Sequence, residues 1–160
     1  MLTEEERKEI ETEVQRCEQK HAAGIEAMKV IQSHRGWVSD EAVKDISEFL
    51  GMTPDELDGV ATFYSLIFRK PVGKHVILIC DSVTCWIMGY ERILKHIKTR
   101  LGIEPGKTSA DGKFTLLPVA CIGACDSAPA MIIDNEVHGN LDEGKIDDIL
   151  ARYGINPQES

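Results

Sequence analysis

The sequence predicts an α/β protein: an N-terminal helical segment, residues 1–70, followed by a domain of a small mixed sheet flanked by helices, residues 71–160. Apolar residues in the first segment recur with helical spacing and follow clear helix-start signals. Beyond the Pro-Val-Gly sequence at residues 71–73, the pattern changes to short apolar runs separated by turn signals, which is typical of strands. Hydrophobic residues make up 42% of the 160 residues, enough for a real core.

Four helices are predicted in the first segment. Thr3-x-x-Glu6 and residues 53–56 (Thr-Pro-Asp-Glu) are capping boxes, and Ser39 is a natural N-cap for the helix between them. A further helix is expected over about residues 22–32. The apolar faces are predicted to contain Ile10, Val14, Cys17 and His21 in the first helix, Ala42, Ile46, Phe49 and Leu50 in the third, and Leu57, Val60 and Ala61 in the fourth.

The second part is predicted to alternate strands and helices. Its expected elements are a strand at 75–80, a helix from Trp86 to about Leu101 with core candidates Ile87, Ile93, Leu94 and Ile97, strands at 113–119, 130–133 and 136–138, and a helix at 141–153. Asp111-Gly112 and Asp134-Asn135 mark turns. The helix after the first strand predicts a crossover to a parallel neighbour, whereas the last two strands predict an antiparallel hairpin.

The charge balance limits the possible partners. Asp and Glu number 27 against 18 Lys and Arg, a formal charge of -9, which disfavours binding to nucleic acid or to an anionic membrane surface. No apolar run approaches the ~20 residues of a membrane-spanning helix. The acidic N-terminus lacks a secretion-signal pattern. We therefore expect a cytoplasmic protein, in which thiols stay reduced and available to a metal.

Four of the five cysteines form two close pairs, Cys80 with Cys85 and Cys121 with Cys125, each directly after a strand-like apolar run. In a chain expected to stay in the cytoplasm, this pattern favours metal ligation over disulfides. Four thiolates converging on a soft metal centre favour a [2Fe–2S] cluster with a role in electron transfer. Cys85 is expected at a helix N-terminus, where free N–H groups favour the thiolate. The fifth, Cys17, is predicted to be a core residue.

Other interpretations of these residues remain open at this stage. Structural zinc also takes four cysteines, although it usually has a tighter spacing, and plain core packing is a further alternative. Neither pair has the Cys-x-x-Cys spacing of a thiol–disulfide enzyme. Residues 106–108 (Gly-Lys-Thr) resemble the end of a P-loop, but the spacing and element order are wrong, so a loop is predicted. Trp86 is predicted to shield the cluster, to face a partner, or to lie in the core. The histidines, expected as surface or packing residues, are His21, His34, His75, His96 and His138.

The pattern Cys80-x4-Cys85-x35-Cys121-x3-Cys125, with Gly-Ala directly before the last cysteine, resembles the thioredoxin-like [2Fe–2S] family. Within it, the chain is similar to the small, flavoprotein-associated subunits of respiratory complex I. The N-terminal segment contributes to this resemblance, because free-standing ferredoxins of the fold lack it. The segments that carry the likeness there are residues 36–39, 60–64 and 71–74.

The resemblance implies a thioredoxin-like fold, a [2Fe–2S] cluster held by the same four cysteines, and no catalytic residue. It also implies a partner flavoprotein subunit that binds FMN and NADH, in a complex at the inner side of the cell membrane. Equivalent subunits of NAD-linked hydrogenases or formate dehydrogenases, a free ferredoxin, and a zinc-stapled interaction module are the alternatives. Ala120 departs from the family, which commonly carries Glu there, and this implies an altered reduction potential.

Overall fold

The structure, a computed structural model, describes residues 1–64 and 66–155. The chain divides into two compact units, Met1–Val72 and Gly73–Ser160. Each unit has a hydrophobic core of its own. Across both described ranges, no helix combines the length and the apolar character that crossing a membrane would require.

The described part of the first unit contains four α-helices and one short 3₁₀ helix. The α-helices are α1 (Glu4–Gln15), α2 (Gly24–Arg35), α3 (Asp40–Leu50) and α4 (Pro54–Phe63), and the 3₁₀ helix, Lys20–Ala23, precedes α2. Both predicted capping boxes are confirmed, and the Ser39 hydroxyl accepts the N–H of Ala42 at the start of α3. Helix α2 runs three residues beyond its predicted end, and it stops where Gly36 takes a left-handed conformation with φ 80°.

The predicted apolar faces of this unit are confirmed except at one position. Ile10, Ile46 and Leu57 are fully buried, and Cys17 packs half-buried against the same core, as predicted. His21 is exposed, so its assignment to the apolar face was wrong. Helix α1 already ends at Gln15, and helical spacing has no meaning beyond that point.

The second unit is built around a mixed sheet. Its described elements are β1 (His75–Cys80), α5 (Val83–Ile87), α6 (Tyr90–Leu101), β2 (Lys107–Thr108), β3 (Phe114–Val119), a 3₁₀ helix (Cys125–Ser127), β4 (Met131–Ile133), β5 (Glu136–His138) and α7 (Glu143–Arg152). Within the described residues the sheet has five strands in the order β2-β3-β1-β4-β5. The pairing of β1 with β3 is parallel, and β4 and β5 form an antiparallel hairpin, which confirms the predicted fold class.

Two predicted elements of the second unit were wrong. The single helix expected from Trp86 to Leu101 is broken into α5 and α6 at Gly89, whose φ of 112° cannot occur within a helix. As a result, Ile87 is not a core residue but 71% exposed. The loop expected at residues 106–108 contains the short strand β2, which pairs antiparallel with β3. Strand β2 has only two residues, both exposed, so the sequence shows no alternation of apolar and polar residues that could have predicted it.

The core of the second unit surrounds its central strand. Five of the six residues of β1 are buried, in keeping with a strand covered on both faces. The side chains that form this core include Ile77, Ile79, Ile93, Ile97, Phe114, Leu116, Met131, Ile146 and Leu150. Strand β1 is therefore firmly held, and it ends at Cys80.

Candidate metal centre

The two predicted cysteine pairs lie at the same edge of the sheet. Cys80 is the last residue of β1, and Cys121 follows β3 by two residues. Because β1 and β3 run parallel, with Cys80 opposite Val119, their carboxyl ends lie side by side. Open α/β sheets commonly place their binding sites at such an edge. The parallel pairing thus brings together residues that are far apart in the sequence.

Each pair has its second member in a short helical turn. Cys85 lies in the first turn of α5, and Cys125 begins the 3₁₀ helix that ends at Ser127. All five cysteines of the chain fall within the described residues and are free thiols. The Sγ atoms of Cys121 and Cys125 are 3.4 Å apart, well beyond the ~2.05 Å of a disulfide bond.

Burial differs between the two pairs. Cys80 and Cys85 are each only 2% exposed and form a small apolar cluster with Ala128 and Ala130. Cys121 and Cys125 are exposed. The site therefore has one dry side and one side open to solvent, or to another protein.

Neighbouring groups change the proton affinities of three thiols, Cys85, Cys121 and Cys125. The N–H of Gly123 donates to Cys121 Sγ at 3.4 Å, and this bond, together with hydrogen bonds from Cys125 and Cys80, lowers the pKa of Cys121. The hydrogen bond to Cys121 raises the pKa of Cys125. The neighbouring Cys80 thiol contributes to the raised pKa of Cys85.

The thiolate expected at Cys85 is not favoured. Burial is the main reason that the pKa of Cys85 rises to about 11, and the hydrogen bond with Cys80 raises it further. A backbone hydrogen bond from Ala130 acts in the opposite direction but is the weaker influence. Desolvation of the charged form is the largest influence on this buried thiol. Binding of a metal at this thiol must therefore displace its proton.

One contact of the site was missed by the sequence analysis. The Thr84 hydroxyl lies near Cys125 and partly opposes the rise in the pKa of that thiol. Thr84 directly precedes Cys85, so its position inside the first cysteine loop was the available signal. Thr84 thus lies in the first cysteine loop but influences a thiol of the second pair.

The donor set fits a two-iron cluster. Each iron of a [2Fe–2S] cluster takes two thiolates, so the protein must supply two adjacent pairs. The site supplies two pairs, and Cys80 lies near enough to Cys85 and to Cys121 to influence the pKa of each thiol. Within residues 1–64 and 66–155 the side chains form no group of three or more His, Cys, Asp or Glu that could hold a metal ion, so the fit rests on the two thiol pairs and not on a preformed four-thiol site.

Helix α5 presents an exposed apolar surface beside the first cysteine pair. We call this surface the α5 patch; it consists of Val83, Trp86, Ile87 and Met88, which are 67%, 58%, 71% and 55% exposed. The alternative that Trp86 packs in the core was therefore wrong. The patch flanks Cys85 in the sequence, while Cys85 itself points inward and is buried.

The histidines lie in ordinary packing or surface contacts, as predicted. His75 Nδ1 is 2.9 Å from Asp134, and His96 Nε2 is 2.9 Å from Asp147. His34 lies 3.2 Å from a carboxylate of α1. None of these contacts involves a cysteine.

Comparison with known proteins defines the class of this protein. The family model described as thioredoxin-like [2Fe–2S] ferredoxin matches residues 10–154. The chain belongs to the thioredoxin-like [2Fe–2S] ferredoxin family. Because the match covers almost the whole chain, it includes most of the N-terminal helical unit as well as the domain that carries the cysteines.

The similar proteins include subunits of NADH-quinone oxidoreductase and a chain of an NAD+-reducing hydrogenase. The chain is 49% identical to the E subunit of NADH-quinone oxidoreductase from Pseudomonas aeruginosa over 153 residues, which cover 96% of this chain and 92% of the relative. Its counterpart in Escherichia coli K12 is 49% identical over 152 residues, covering 95% and 92%. Among solved structures, an NAD+-reducing [NiFe]-hydrogenase in the H2-reduced state is similar, with a TM-score of 0.69, 25% identity, and coverage of 79% of this chain. This chain spans 22% of the hydrogenase chain.

Proposed function

We propose that the protein holds a [2Fe–2S] cluster through Cys80, Cys85, Cys121 and Cys125 and serves as an electron-transfer subunit of an NADH:quinone oxidoreductase. The observation that carries this proposal is the meeting of two thiol pairs at the carboxyl ends of β1 and β3. The chain's 49% identity to NADH-quinone oxidoreductase subunits over nearly its whole length supports the choice of complex.

In this proposal the protein holds the cluster and shields one side of it from water. Buried Cys80 and Cys85, with the alanines around them, exclude water from one side of the site. The N–H of Gly123 donates to the sulfur of Cys121, and such hydrogen bonds tune reduction potentials. When bound, the cluster supplies the ability to accept and release a single electron. No bond-making step is assigned to this chain.

The partner in this proposal is a flavoprotein subunit that binds FMN and NADH and exchanges single electrons with the site. This chain has no Gly-x-Gly-x-x-Gly sequence after a strand, so NADH binding is assigned to the partner. The complex would hold the protein at the inner side of the cell membrane. The exposed cysteines and the α5 patch give the site an open, partly apolar face that suits contact with a second protein of the complex.

The spectrum of the anaerobically purified protein tests the proposed cofactor. We expect a red-brown protein that gives a rhombic EPR signal from one unpaired electron per chain after reduction with dithionite, since a reduced [2Fe–2S] cluster is paramagnetic. Iron analysis should give about two atoms per chain. A colourless protein that contains one zinc per chain would instead establish the zinc-stapled interaction module.

A charge placed in the α5 patch is expected to weaken partner binding. Trp86→Glu and Ile87→Glu should each raise the Kd for the flavoprotein subunit at least about tenfold, because the new charge would have to be desolvated at the interface. A tenfold change in Kd corresponds to about 1.4 kcal/mol of binding free energy. Binding of the purified subunits can be measured by calorimetry. Val137→Glu, at an exposed apolar residue of β5, is the matched control and should leave the Kd within about twofold. Equal effects of all three variants would contradict the assignment of the patch.

The similarity to the NAD+-reducing hydrogenase supports a second candidate, the equivalent subunit of such an enzyme. The two candidates differ in what the assembled complex does. Purified from its native cells through a tag on this chain, the complex should reduce quinone with NADH. Reduction of NAD+ by H2 in the same preparation would support the hydrogenase assignment instead.

A further inference from the structure

The segment Gly139–Leu141, which connects β5 to α7, is hydrogen-bonded to the loop that follows the second cysteine pair. The N–H of Asn140 donates to the carbonyl oxygen of Ser127 at 2.5 Å. The N–H of Leu141 donates to the carbonyl oxygen of Pro129 at 3.1 Å. These two bonds hold the backbone from Ser127 to Pro129 against the end of β5.

The held loop is in direct contact with the first cysteine pair. The carbonyl oxygen of Ala130, the residue after this loop, accepts the N–H of Cys80 at 3.1 Å. Ala128 and Ala130 also pack with both cysteines in one buried cluster. A shift of this loop would therefore move the surroundings of both buried thiols.

The same loop continues directly into the second pair. The N–H of Ser127 donates to the carbonyl oxygen of Ala124 at 3.1 Å and so closes the 3₁₀ turn that begins at Cys125. The Ser127 hydroxyl makes a second bond to the same oxygen at 3.3 Å. Ser127 is thus the point at which the segment after β5 and the turn that carries Cys125 are joined.

Gly139 makes this approach possible. A Cβ atom at this position would lie 2.6 Å from the Cβ and 2.7 Å from the carbonyl oxygen of Ser127, and closer still to its Oγ. A hydroxyl can rotate away from such a contact, but a Cβ atom and a backbone oxygen cannot move without the chain. Glycine is therefore required at this position because it has no side chain. Its backbone conformation is not the reason, because it lies outside the left-handed region.

We propose that Gly139–Leu141 is a positioning segment for the cysteine site: it sets the place of Cys125 and supports the loop beneath Cys80 and Cys85. This inference rests on the proposed cluster-holding function. Gly139 acts through its close approach to Ser127, and Asn140 acts through its hydrogen bond to the same residue. None of the three residues of the segment is a ligand.

Gly139→Ala tests the close approach in the full-length, cluster-loaded protein. We expect the cluster to be lost to an iron chelator at least tenfold faster than in the wild type, and the EPR g-values of the remaining cluster to change. Gly144→Ala is the matched control, because its added Cβ would make an ordinary 3.5 Å contact with Asp142. It should keep the wild-type EPR spectrum and a loss rate within twofold. A folded Gly139→Ala protein with an unchanged spectrum and rate would overturn the proposal.

Asn140→Val tests the segment without adding an atom at the close contact. Asn140 has a φ of 49°, a conformation that Asn and Gly accept and that a β-branched residue strongly disfavours. We expect Asn140→Val to speed cluster loss at least threefold, with Asn140→Gly within twofold of the wild type. If Gly139→Ala fails to fold, the comparison of Asn140→Val with Asn140→Gly tests the proposal in its place. Equal rates of cluster loss in these two variants would overturn it.

Hydrogen exchange of the metal-free, reduced protein separates this inference from the proposed function. Mass spectrometry of peptides over residues 121–130 should show at least fivefold faster exchange in Gly139→Ala and Asn140→Val, with both controls unchanged. Exchange at wild-type rates in these variants would overturn the positioning role alone. A wild-type protein that carries no cluster would instead overturn the proposed function, and the exchange data would still decide the role of the segment.

Discussion

Replacement of Cys85 or Cys121 by alanine is expected to abolish cluster binding. In the proposed site, each variant would leave one iron with a single protein ligand, and a two-iron cluster needs a thiolate at all four terminal positions. Loss of a residue that merely supports a ligand commonly costs about 10–100-fold in metal affinity, so loss of a ligand should cost more. Iron content and the visible absorption of the anaerobically purified protein should both fall to the background.

The fifth cysteine provides the control for this experiment. Cys17 lies half-buried against the core of the first unit, so Cys17→Ala should retain about two irons per chain and the wild-type EPR signal. Thermal unfolding of the metal-free forms of all three variants distinguishes ligand loss from misfolding. Iron retained by Cys121→Ala, or iron lost from Cys17→Ala with an intact fold, would show that the ligand set is wrong.

Arg35→Met is expected to destabilise the N-terminal unit by about 3 kcal/mol. The guanidinium of Arg35 donates to Glu6 from Nε at 2.6 Å and from Nη2 at 2.7 Å, and the Glu6 side chain is only 3% exposed. Removal of the guanidinium leaves a buried carboxylate that is held by Thr3 but has lost its cationic partner. The chain has two tryptophans, Trp37 in the first unit and Trp86 in the second. In a Trp86→Phe background the fluorescence therefore reports only on the first unit, and urea unfolding followed by this signal would measure the decrease in its free energy of unfolding.

A surface ion pair supplies the control for the Arg35 variant. Arg16 pairs with Glu13 at 2.7 Å, but its side chain is 69% exposed, and exposed pairs add little to stability. Arg16→Met should therefore shift the urea midpoint by much less than Arg35→Met. Similar shifts for both variants would mean that burial of Glu6 does not matter to the free energy of unfolding.

The same ion pair predicts how stability depends on pH. The hydrogen bonds from Arg35 are the main reason that the pKa of Glu6 falls from 4.5 to about 2. A folded-state pKa below that of the unfolded chain means that the contribution is fully present above pH 4.5 and is lost as the pH falls towards 2. At about 1.4 kcal/mol for each unit of pKa, the total is about 3 kcal/mol. Glu6→Gln should remove this part of the pH dependence, and an unchanged slope below pH 4.5 would contradict it.

Much of the candidate site could be predicted because its signals are local. The two cysteine pairs have short spacings, and each follows an apolar run that became β1 or β3. The crossover helix predicted that these strands are parallel, and parallel pairing is what brings Cys80 and Cys121 to one edge. The burial that raises the pKa of Cys85 was not predictable, because it depends on Ala128 and Ala130 from a distant loop.

The sequence alone determined features that depend on neighbouring residues. The capping box of Thr3 and Glu6 spans three residues, so backbone geometry brings its partners together whenever the helix forms. Only the tertiary structure brings Arg35, which is 29 residues from Glu6 in the sequence, into an ion pair with the Glu6 carboxylate of this box. It likewise decided that Gly139 meets Ser127. Such contacts depend on how whole segments pack, and no spacing in the sequence encodes the distance between two segments before they fold.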